Sequence, residues 1–411
     1  MDALRDVRVL SFNHFLAGPA AAQILGDLGA DVIAIEPLEG AFQRNWAVAG
    51  HYVDGQSVNF LSTGRNKRSV AVDLKHPDAR AAVRRLIASA DVVMENFRPG
   101  TMARLGFDPD ALLKEHPRLI YAAATGYGSD GPYAARPGQD LLLQAMSGLA
   151  AHTGRAEGPP VAVGSVVIDH HTAALLVIGI VTALYRRERT GKGGRVEANL
   201  LQAAIDLQGE PITAWMNGAP HSSPRGPGGV AGWFSAGGYG IHATSDGHIA
   251  VSMATPADLG KALGVEALLP MSAGDGLSRR EEVNRLVGEA LAGQSTAEAA
   301  ARLDAGGIWN APVEDYDALP DNPQLRHLQV FRTVEGATGA PVTLVAHPVR
   351  YDGAAPDISR VPQPLGAQTR EVFAEAGFSG EEITRLAAAG AIGLPPEAAA
   401  ETMTRREAVA R

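Results

Sequence analysis

The chain of 411 residues contains no cysteine, few aromatic residues (5%) and no excess of basic over acidic side chains. The absence of cysteine excludes disulfides, a thiolate nucleophile and cysteine-ligated metal centres. With 36 Lys and Arg against 45 Asp and Glu, the formal net charge is −9. Proteins that bind nucleic acid generally carry a basic excess instead. We therefore expect no nucleic-acid partner.

Long hydrophobic runs and targeting signals are also missing. Residues 1–6 are charged and lead into a strand-like run, unlike a signal peptide. The longest apolar stretch, 173–183, is too short to span a bilayer. These features predict a soluble, cytoplasmic protein with no membrane partner.

The first half of the chain alternates strand-like and helix-like segments. Strands are predicted at 8–12, 31–35, 69–74, 91–97 and 119–124, and helices at 19–29, 76–90 and 108–115. This alternation, with Val- and Ile-rich strands, predicts the α/β class: a Rossmann-like parallel sheet with helices on both faces. The first strand is not followed by G-x-G-x-x-G, so dinucleotide binding is not supported.

The composition and the hydrophobic pattern of the sequence change after residue 210. Residues 211–240 are rich in Gly and Pro, and residues 239–252 show the alternation of a hairpin. We expect a large α/β domain over 1–210, a smaller α+β domain over 225–325, and a C-terminal segment, 330–411, that returns to the large domain. At roughly 100–200 residues per domain, the chain is long enough for this division.

Asp169 stands where an apolar run, 161–168, interpreted as a buried strand, meets a long apolar helix. A carboxylate at such a junction can be a helix N-cap. It can also be a nucleophile or base at the carboxyl end of a strand, where open α/β sheets bind ligands. His170 and His171 follow it, but consecutive residues point in different directions and no third ligand stands at a suitable spacing. No metal site is therefore predicted.

Basic residues cluster at the ends of two predicted strands: Arg65, Lys67, Arg68 and Lys75 around one, Arg98 and Arg104 after another. Charge clusters usually form solvated faces, but at strand ends in an acidic protein they favour a phosphate-bearing ligand. The glycine-rich loop 226–232 lacks the Lys-Ser/Thr of a P-loop and is either a linker or a mobile lid. No G-x-S-x-G nucleophile elbow occurs.

Several motifs together resemble the family III CoA-transferases, the formyl-CoA and carnitine CoA-transferase group. They follow the family's order over nearly the whole chain. The matching segments are Gly18-Pro19, 25–33 (LGDLGADVI), Ile35-Glu36-Pro37, 66–70 (NKRSV), Asp73-Leu74-Lys75, 95–100 (ENFRPG), 125–128 (TGYG), Ser147-Gly148-Leu149, 190–193 (TGKG) and 377–392.

The resemblance implies a chemistry for Asp169, which occupies the position of the family's essential aspartate. That residue attacks an acyl-CoA thioester, and CoA then passes through an aspartyl anhydride and an aspartyl-CoA thioester to a small carboxylic acid. The partners implied are an acyl-CoA donor and a small carboxylate acceptor. No prosthetic group or metal is implied, since coenzyme A arrives as the substrate. The family also implies an interlocked homodimer.

By the same resemblance, the CoA nucleotide and pantetheine are expected along a defined set of positions, with Lys75, Arg98 and Arg104 contributing most to phosphate binding. The set is His14, Phe15, Ala17, Val72, Lys75, Asn96, Phe97, Arg98 and Arg104. Gly228 and Gly229 resemble the glycine loop that shields the intermediates, and Gln139 and Asp140 are candidates for active-site support.

Two alternatives stay open at this point. The α-methylacyl-CoA racemases share the scaffold but need a His in a Gly-His-Asp motif, and this chain has Gly138-Gln139-Asp140. Glutamine cannot move a proton at neutral pH, so that interpretation lacks its first base. The other alternative is a non-catalytic acyl-CoA-binding protein in which Asp169 serves only as an N-cap.

Overall fold

The computed structural model describes residues 3–219 and 225–395. Its strands are β1 (Arg8–Phe12), β2 (Asp31–Glu36), β3 (Tyr52–Val53), β4 (Gln56–Ser57), β5 (Lys67–Val72), β6 (Val92–Glu95), β7 (Ile120–Thr125), β8 (Gly194–Asn199), β9 (Gly240–Ala243), β10 (His248–Ser252), β11 (Trp309–Pro312), β12 (Phe331–Glu335), β13 (Pro341–Val345) and β14 (Ile392–Gly393).

The α-helices are α1 (Ala17–Asp27), α2 (Phe42–Asn45), α3 (Val58–Thr63), α4 (Pro77–Ala88), α5 (Thr101–Arg104), α6 (Pro109–Glu115), α7 (Asp140–Met146), α8 (Leu149–His152), α9 (Val167–Thr190), α10 (Leu200–Asp206), α11 (Gly209–Met216), α12 (Pro256–Leu263), α13 (Asp275–Ser278), α14 (Arg280–Ala292), α15 (Thr296–Ala305), α16 (Pro323–Leu328), α17 (Thr369–Glu375) and α18 (Gly380–Ala388). Single 3-10 turns lie at Val48–Gly50, Glu266–Leu268 and Leu319–Asp321.

A seven-stranded sheet, in the order β14-β5-β2-β1-β6-β7-β8, organises the largest part of the fold. Its neighbouring strands are parallel except for β14, which pairs antiparallel with β5. The predicted α/β class with a parallel-dominated sheet is confirmed. Each of the five predicted strands is present, with its ends shifted by no more than two residues.

Helices cover both faces of this sheet because alternate strand residues point to opposite sides. Val9 packs on one side with α1 and α9, where the core includes Leu25, Leu176 and Ile180. Leu10 and Phe12 belong to the core on the other side, which α4, α6, α17 and α18 help to build. Near-continuous burial of the strands follows from this two-sided cover.

The strand order reverses direction at β1. The chain proceeds from β1 to β2 and β5 on one side, and then returns to place β6 and β7 on the other side of β1. Such a reversal leaves a crevice outside the carboxyl ends of the two central strands, the usual ligand position in open α/β sheets. The sheet thus directs attention to residues just after β1 and β6.

The chain divides into two compact units. Of the described residues, the first comprises 3–140, 167–203 and 323–395, and the second comprises 141–166, 204–219 and 225–322. The sequence-based boundaries assigned 141–166 to the large domain, whereas these residues group with the second unit. Long-range contacts explain the grouping: the Gln208 amide donates to the Ser147 hydroxyl (3.2 Å), and the Arg225 guanidinium donates to the Gly158 carbonyl (2.6 Å).

The second unit contains a three-stranded antiparallel sheet, β11-β10-β9. The hairpin predicted over 239–252 is confirmed as β9 and β10. Helices α12, α14 and α15 pack on this sheet through a core that includes Leu259, Val287 and Leu303. The unit is therefore built as the α+β arrangement that its sequence pattern indicated.

The predicted strand over 161–168 is wrong. Residues 161–166 form an irregular, largely exposed segment, and α9 begins at Val167. Their valines favour a strand, but the segment pairs with none of the described strands, and the Gln144 amide group bonds to its main chain instead.

Helix α9 is the one helix among the described residues that is long and apolar enough to cross a membrane, by length and composition only. The sequence analysis considered only the apolar stretch 173–183, which is too short to span a bilayer. The helix is longer than that stretch at both ends, so it passes a test by length and composition. Half of its most apolar 18-residue window is buried inside the protein. Core helices pass the same test, so the finding is weak evidence for a membrane span.

A buried ion-pair network joins α1 to the loop before β5. The Asp27 carboxylate accepts hydrogen bonds from the Arg65 guanidinium (2.6 and 2.9 Å), the Asn66 amide (2.8 Å) and the His347 ring (3.1 Å). These donors hold the pKa of Asp27 below its usual value although burial alone raises it.

The neighbouring basic residues are structural as well. The Lys67 ammonium donates to the carbonyl oxygens of Pro19 (2.7 Å) and Thr63 (2.6 Å), and burial lowers its pKa to about 7. Arg68 pairs with Asp31, Glu371 and Glu375. The prediction that Arg65, Lys67 and Arg68 serve a phosphate ligand is therefore wrong, because the two arginines pair with carboxylates and the Lys67 ammonium donates to backbone carbonyls.

Removing one partner from this network should destabilise the fold strongly. We expect Asp27→Ala to lower the free energy of unfolding by about 3–5 kcal/mol, since it leaves the Arg65 charge buried and unpaired. Thermal and urea unfolding measure the effect. The exposed pair Arg195–Asp110 provides the control, where Asp110→Ala should cost less than about 1 kcal/mol. Equal losses in both variants would contradict the assignment.

Candidate active site

A cavity of about 310 Å³ opens in the first unit at the crevice beside β1 and β6. This volume lies at the lower end of the range for small-molecule sites, roughly 300–1,000 Å³. Its walls come from residues that follow β1, β6 and β7, from α2, and from the starts of α9 and α10. The lining residues are His14, Phe15, Leu16, Ala17, Phe42, Asn96, Ala124, Thr125, Gly126, Gly138, Gln139, Asp169 and Leu200.

Asp169 reaches this cavity from the first turn of α9, where it is the third helical residue. It is therefore not the N-cap of that helix, and the N-cap interpretation is wrong. Asp140 satisfies the helix start instead: its Oδ2 accepts hydrogen bonds from the backbone N–H groups of Ile168 (2.8 Å) and Asp169 (3.0 Å). A carboxylate from outside the helix thus takes the capping role and leaves the Asp169 side chain to the cavity.

The position of Asp140 depends on a close approach of two glycines. A Cβ on Gly138 would lie 2.4 Å from the Gly126 Cα, and one on Gly126 would lie 2.6 Å from the Gly138 Cα. Only glycine allows two backbones so close together. The contact places 138–140 directly beside the end of β7, opposite the start of α9.

The environment of Asp169 disfavours its charged form. Burial raises the pKa of this carboxyl to about 7, and the nearby negative charge of Asp140 adds to the shift. The first turn of a helix favours a negative charge and opposes both effects. At neutral pH, the group therefore exists as a mixture of the protonated acid and a poorly solvated carboxylate.

His14 and Asn96 connect the two central strands at the cavity. The Asn96 Oδ1 accepts from the His14 N–H (2.9 Å), and the Asn96 amide donates to the His14 carbonyl (2.7 Å). The His14 ring stacks on Phe97 with 5.4 Å between centroids. Desolvation lowers the pKa of His14, so at neutral pH its imidazole is predominantly uncharged.

Three exposed basic side chains stand beyond the carboxyl ends of β5 and β6: Lys75, Arg98 and Arg104. None of the three forms an ion pair with another described residue, and Arg104 contacts only Thr101 through its guanidinium (2.8 Å). They are thus available to anions, unlike Arg65, Lys67 and Arg68. Val72 differs from them, because its side chain is buried in the core at the end of β5.

Gln139 lines the cavity with Asp169, next to the buried Asp140. Gly228 and Gly229 belong to the second unit. There Gly229 lies against β9, where a Cβ would meet the Ile241 carbonyl oxygen at 2.6 Å. The structure thus gathers His14, Phe15, Ala17, Asn96, Gln139 and Asp169 in one cavity of the first unit, and the glycine pair is not part of its lining.

Sequence reasoning missed several residues of this site. Phe42, Leu200 and the Gly126–Gly138 contact had no periodicity that would reveal them, since they meet only through the fold. Glu95, which precedes the lining residue Asn96 but is not itself part of the lining, was visible only as the first residue of 95–100. Its carboxylate accepts from the Phe97 N–H (2.6 Å) and the Tyr121 hydroxyl (3.3 Å), and burial raises its pKa to about 7.

No group of three or more His, Asp or Glu side chains that could hold a metal ion occurs among the described residues. His170 and His171, which follow Asp169 on α9, belong to no such group among these residues. Desolvation lowers the pKa of His170.

The fold and the cavity define an α/β protein with a buried carboxylate at the switch point of a parallel sheet. A family model described as CoA-transferase family III matches residues 4–369. The chain belongs to this family and is thus a CoA-transferase, whose substrates are CoA thioesters.

Individual relatives agree with this assignment. The chain is 33% identical over 404 residues to a succinyl-CoA–L-malate CoA-transferase β subunit from Chloroflexus aurantiacus, covering 93% of this chain and 96% of that one. It is 30% identical over 387 residues to a succinyl-CoA:glutarate CoA-transferase from Mus musculus, covering 91% and 86%. A crystal structure of a CaiB/BaiF family protein from Brucella suis superposes with a TM-score of 0.78 at 28% identity, covering 90% and 98%.

The raised pKa of Asp169 predicts a pH-dependent gain in stability on its replacement. The ordinary pKa of 3.8 rises to about 7 in the folded chain, so ionisation costs the folded state stability progressively between about pH 4 and 7. Asp169→Asn should therefore melt at a higher temperature than the original protein at pH 8. The gain should shrink toward pH 4, with an upper bound of about 4 kcal/mol.

Differential scanning calorimetry at several pH values tests this expectation. Asp110→Asn, at an exposed carboxylate, is the control and should show no such pH-dependent gain. If Asp169→Asn were less stable than the original protein at pH 8, Asp169 would be a structural carboxylate and not a strained one.

Proposed function

We propose that this CoA-transferase moves CoA from an acyl-CoA to a carboxylic acid with Asp169 as the covalent nucleophile. One observation carries the proposal: Asp140 caps the start of α9, so the Asp169 carboxylate has no capping duty and lines the cavity. A buried carboxylate that does not cap a helix, and that lines a cavity where the strand order of the sheet reverses, is placed to act as a nucleophile.

The proposed reaction proceeds in two mirrored halves. An Asp169 oxygen attacks the thioester carbonyl, the C–S bond breaks, and CoA leaves as the thiolate, giving an aspartyl–acyl anhydride. The thiolate then attacks the aspartyl carbonyl carbon and expels the donor acid, leaving an aspartyl-CoA thioester. An acceptor carboxylate then attacks the same carbon and releases the CoA thiolate, giving an anhydride between Asp169 and the acceptor. The thiolate attacks the acceptor's carbonyl carbon, which forms the new acyl-CoA and regenerates the Asp169 carboxylate.

The surroundings of Asp169 suit these steps. A carboxylate with a pKa near 7 is partly ionised at neutral pH, and it is poorly solvated, which makes it more reactive than the same group in water. Both intermediates are prone to hydrolysis, so a site that limits access of water preserves the thioester energy. The Asp140 hydrogen bonds fix the backbone of Asp169 while its carbonyl carbon is attacked twice.

The proposed CoA position runs from the cavity toward the exposed basic residues. His14, Phe15, Ala17 and Asn96 would contact the pantetheine end near Asp169. Lys75, Arg98 and Arg104 would bind the phosphates, since they are exposed and have no ion-pair partner among the described residues. This arrangement keeps positive charge for the phosphates away from the reacting carboxylate.

Two further features stay proposals of the same kind. We propose that the protein acts as an interlocked homodimer in the cytoplasm, with Gln139 and Asp140 supporting the site and Gly228 and Gly229 shielding the intermediates. The racemase alternative lacks the histidine of its Gly-His-Asp motif, because Gln139 stands at that position. The binding-protein alternative required Asp169 to be the N-cap, a role that Asp140 holds.

Trapping of the intermediate tests the proposal. The purified protein, incubated with an acyl-CoA and hydroxylamine, should carry a hydroxamate at Asp169 detectable by peptide mass spectrometry. Asp169→Ala should lose CoA transfer by roughly 10³-fold or more, because the covalent route is removed. Asp110→Ala, at an exposed position, should keep full activity.

Other outcomes would contradict the proposal. Full transfer activity in Asp169→Ala, with no modified peptide in the original protein, would remove the covalent mechanism. Exchange of the α-proton of an acyl-CoA in deuterated water, without any carboxylate acceptor, would support the racemase instead.

A further inference from the structure

Resting on the proposed function, we propose that the acyl groups handled by this chain are uncharged and apolar. They come from monocarboxylic acids with an apolar aliphatic or phenyl-bearing chain, and dicarboxylic acids are poor substrates. The proposal depends on the charges and the apolar surfaces that line the cavity around Asp169.

The described residues that line the cavity offer no cation to a second carboxylate. Among its described lining residues there is no lysine or arginine, and His14 is predominantly neutral because desolvation lowers its pKa. Asp169 lies in the cavity, and Asp140 is close enough to affect its titration. A dicarboxylic acyl group would therefore bring another negative charge to a partly buried acidic site, which is costly without a paired cation.

Basic side chains on the adjoining elements are already engaged. Arg44 follows Phe42 on α2, but its guanidinium pairs with Glu36 (2.7 Å) and stacks over the Phe60 ring at 3.8 Å. Lys67 is buried, and its ammonium donates to two backbone carbonyls. Neither side chain can reach a ligand without breaking contacts that hold the fold together.

One wall of the cavity is aromatic instead. Phe15 and Phe42 line it, with 5.7 Å between ring centroids, and Trp46 packs on both at 5.6 and 5.9 Å. Phe42 is 54% exposed and Trp46 is 44% exposed. Exposed aromatic side chains on the wall of a cavity are typical of ligand-binding sites.

The backbone fixes this aromatic wall in place. Phe15 adopts a left-handed conformation, with φ of 57°, which is uncommon for a large side chain. Its N–H donates to the Gln43 Oε1 at 2.9 Å, and Gln43 is the neighbour of Phe42 on α2. The hydrogen bond between Phe15 and Gln43 therefore ties both phenyl rings to the cavity that Asp169 lines. Backbone strain such as that at Phe15 is found at ligand-binding sites.

Exchange of a labelled acid with its own thioester tests the substrate class without assuming any donor–acceptor pair. The purified protein is incubated with butyryl-CoA and ¹³C-butyrate, with 3-phenylpropanoyl-CoA and its labelled acid, and with succinyl-CoA and ¹³C-succinate. Butyrate and succinate have equal chain length and differ by one carboxylate. We expect butyrate and 3-phenylpropanoate to exchange with a kcat/KM at least about tenfold above that of succinate.

A cation introduced on the aromatic wall should reverse the preference. In Phe42→Arg, the ratio of succinate to butyrate exchange should rise by about tenfold or more, because the guanidinium can pair with the second carboxylate. The matched control is Tyr316→Arg, because Tyr316 is an aromatic residue that is 83% exposed and does not line the cavity. Its ratio should equal that of the original protein.

The outcomes separate this inference from the proposed function. Exchange of succinate equal to or faster than that of butyrate would overturn the substrate class, while leaving transfer through Asp169 intact. An unchanged ratio in Phe42→Arg would overturn the role of the aromatic wall. Absence of exchange with every pair, together with absence of an Asp169 hydroxamate, would refute the proposed function and the substrate class with it.

Discussion

The two hydrogen bonds that Asp140 Oδ2 accepts from the backbone of Ile168 and Asp169 determine how the candidate site is built. Every helix begins with N–H groups that have no partner inside the helix, and a nearby carboxylate commonly satisfies them. Here the capping carboxylate comes from outside the helix. Asp169, the third residue of the helix, is thereby left to face the cavity. Burial raises the pKa of its carboxyl, and the negative charge of Asp140 adds to that rise.

The sheet supplies the other half of the arrangement. Its strand order reverses at β1, so the segments after β1 and β6 separate and leave a crevice. His14 and Asn96 hold the two sides of that crevice together through their paired hydrogen bonds. The Gly126–Gly138 contact then brings Asp140 to the start of α9. Asp169, the cavity and the exposed basic residues thus share one edge of the sheet, as the proposed binding of a CoA thioester with its phosphates would require.

Much of this could be predicted from the sequence, where the signal was local. The strands followed from Val/Ile-rich runs, and Asp169 from its place before a long apolar helix together with the resemblance to family III CoA-transferases. Predictions failed where distant segments decide. The segment 161–166 pairs with none of the described strands, Arg65 and Lys67 are engaged by Asp27 and by backbone carbonyls, and the capping of α9 depends on a residue 29 positions before Asp169.

Oxygen isotope transfer to Asp169 tests the central claim most directly. If an acceptor carboxylate labelled with ¹⁸O attacks the aspartyl-CoA carbonyl, its oxygen bridges the anhydride and stays on Asp169 when CoA takes the acyl group. The mechanism therefore predicts ¹⁸O in the peptide that contains Asp169 after turnover with acyl-CoA and labelled acid, and none when acyl-CoA is omitted. Labelled acid that is converted to thioester while Asp169 stays unlabelled would contradict the account.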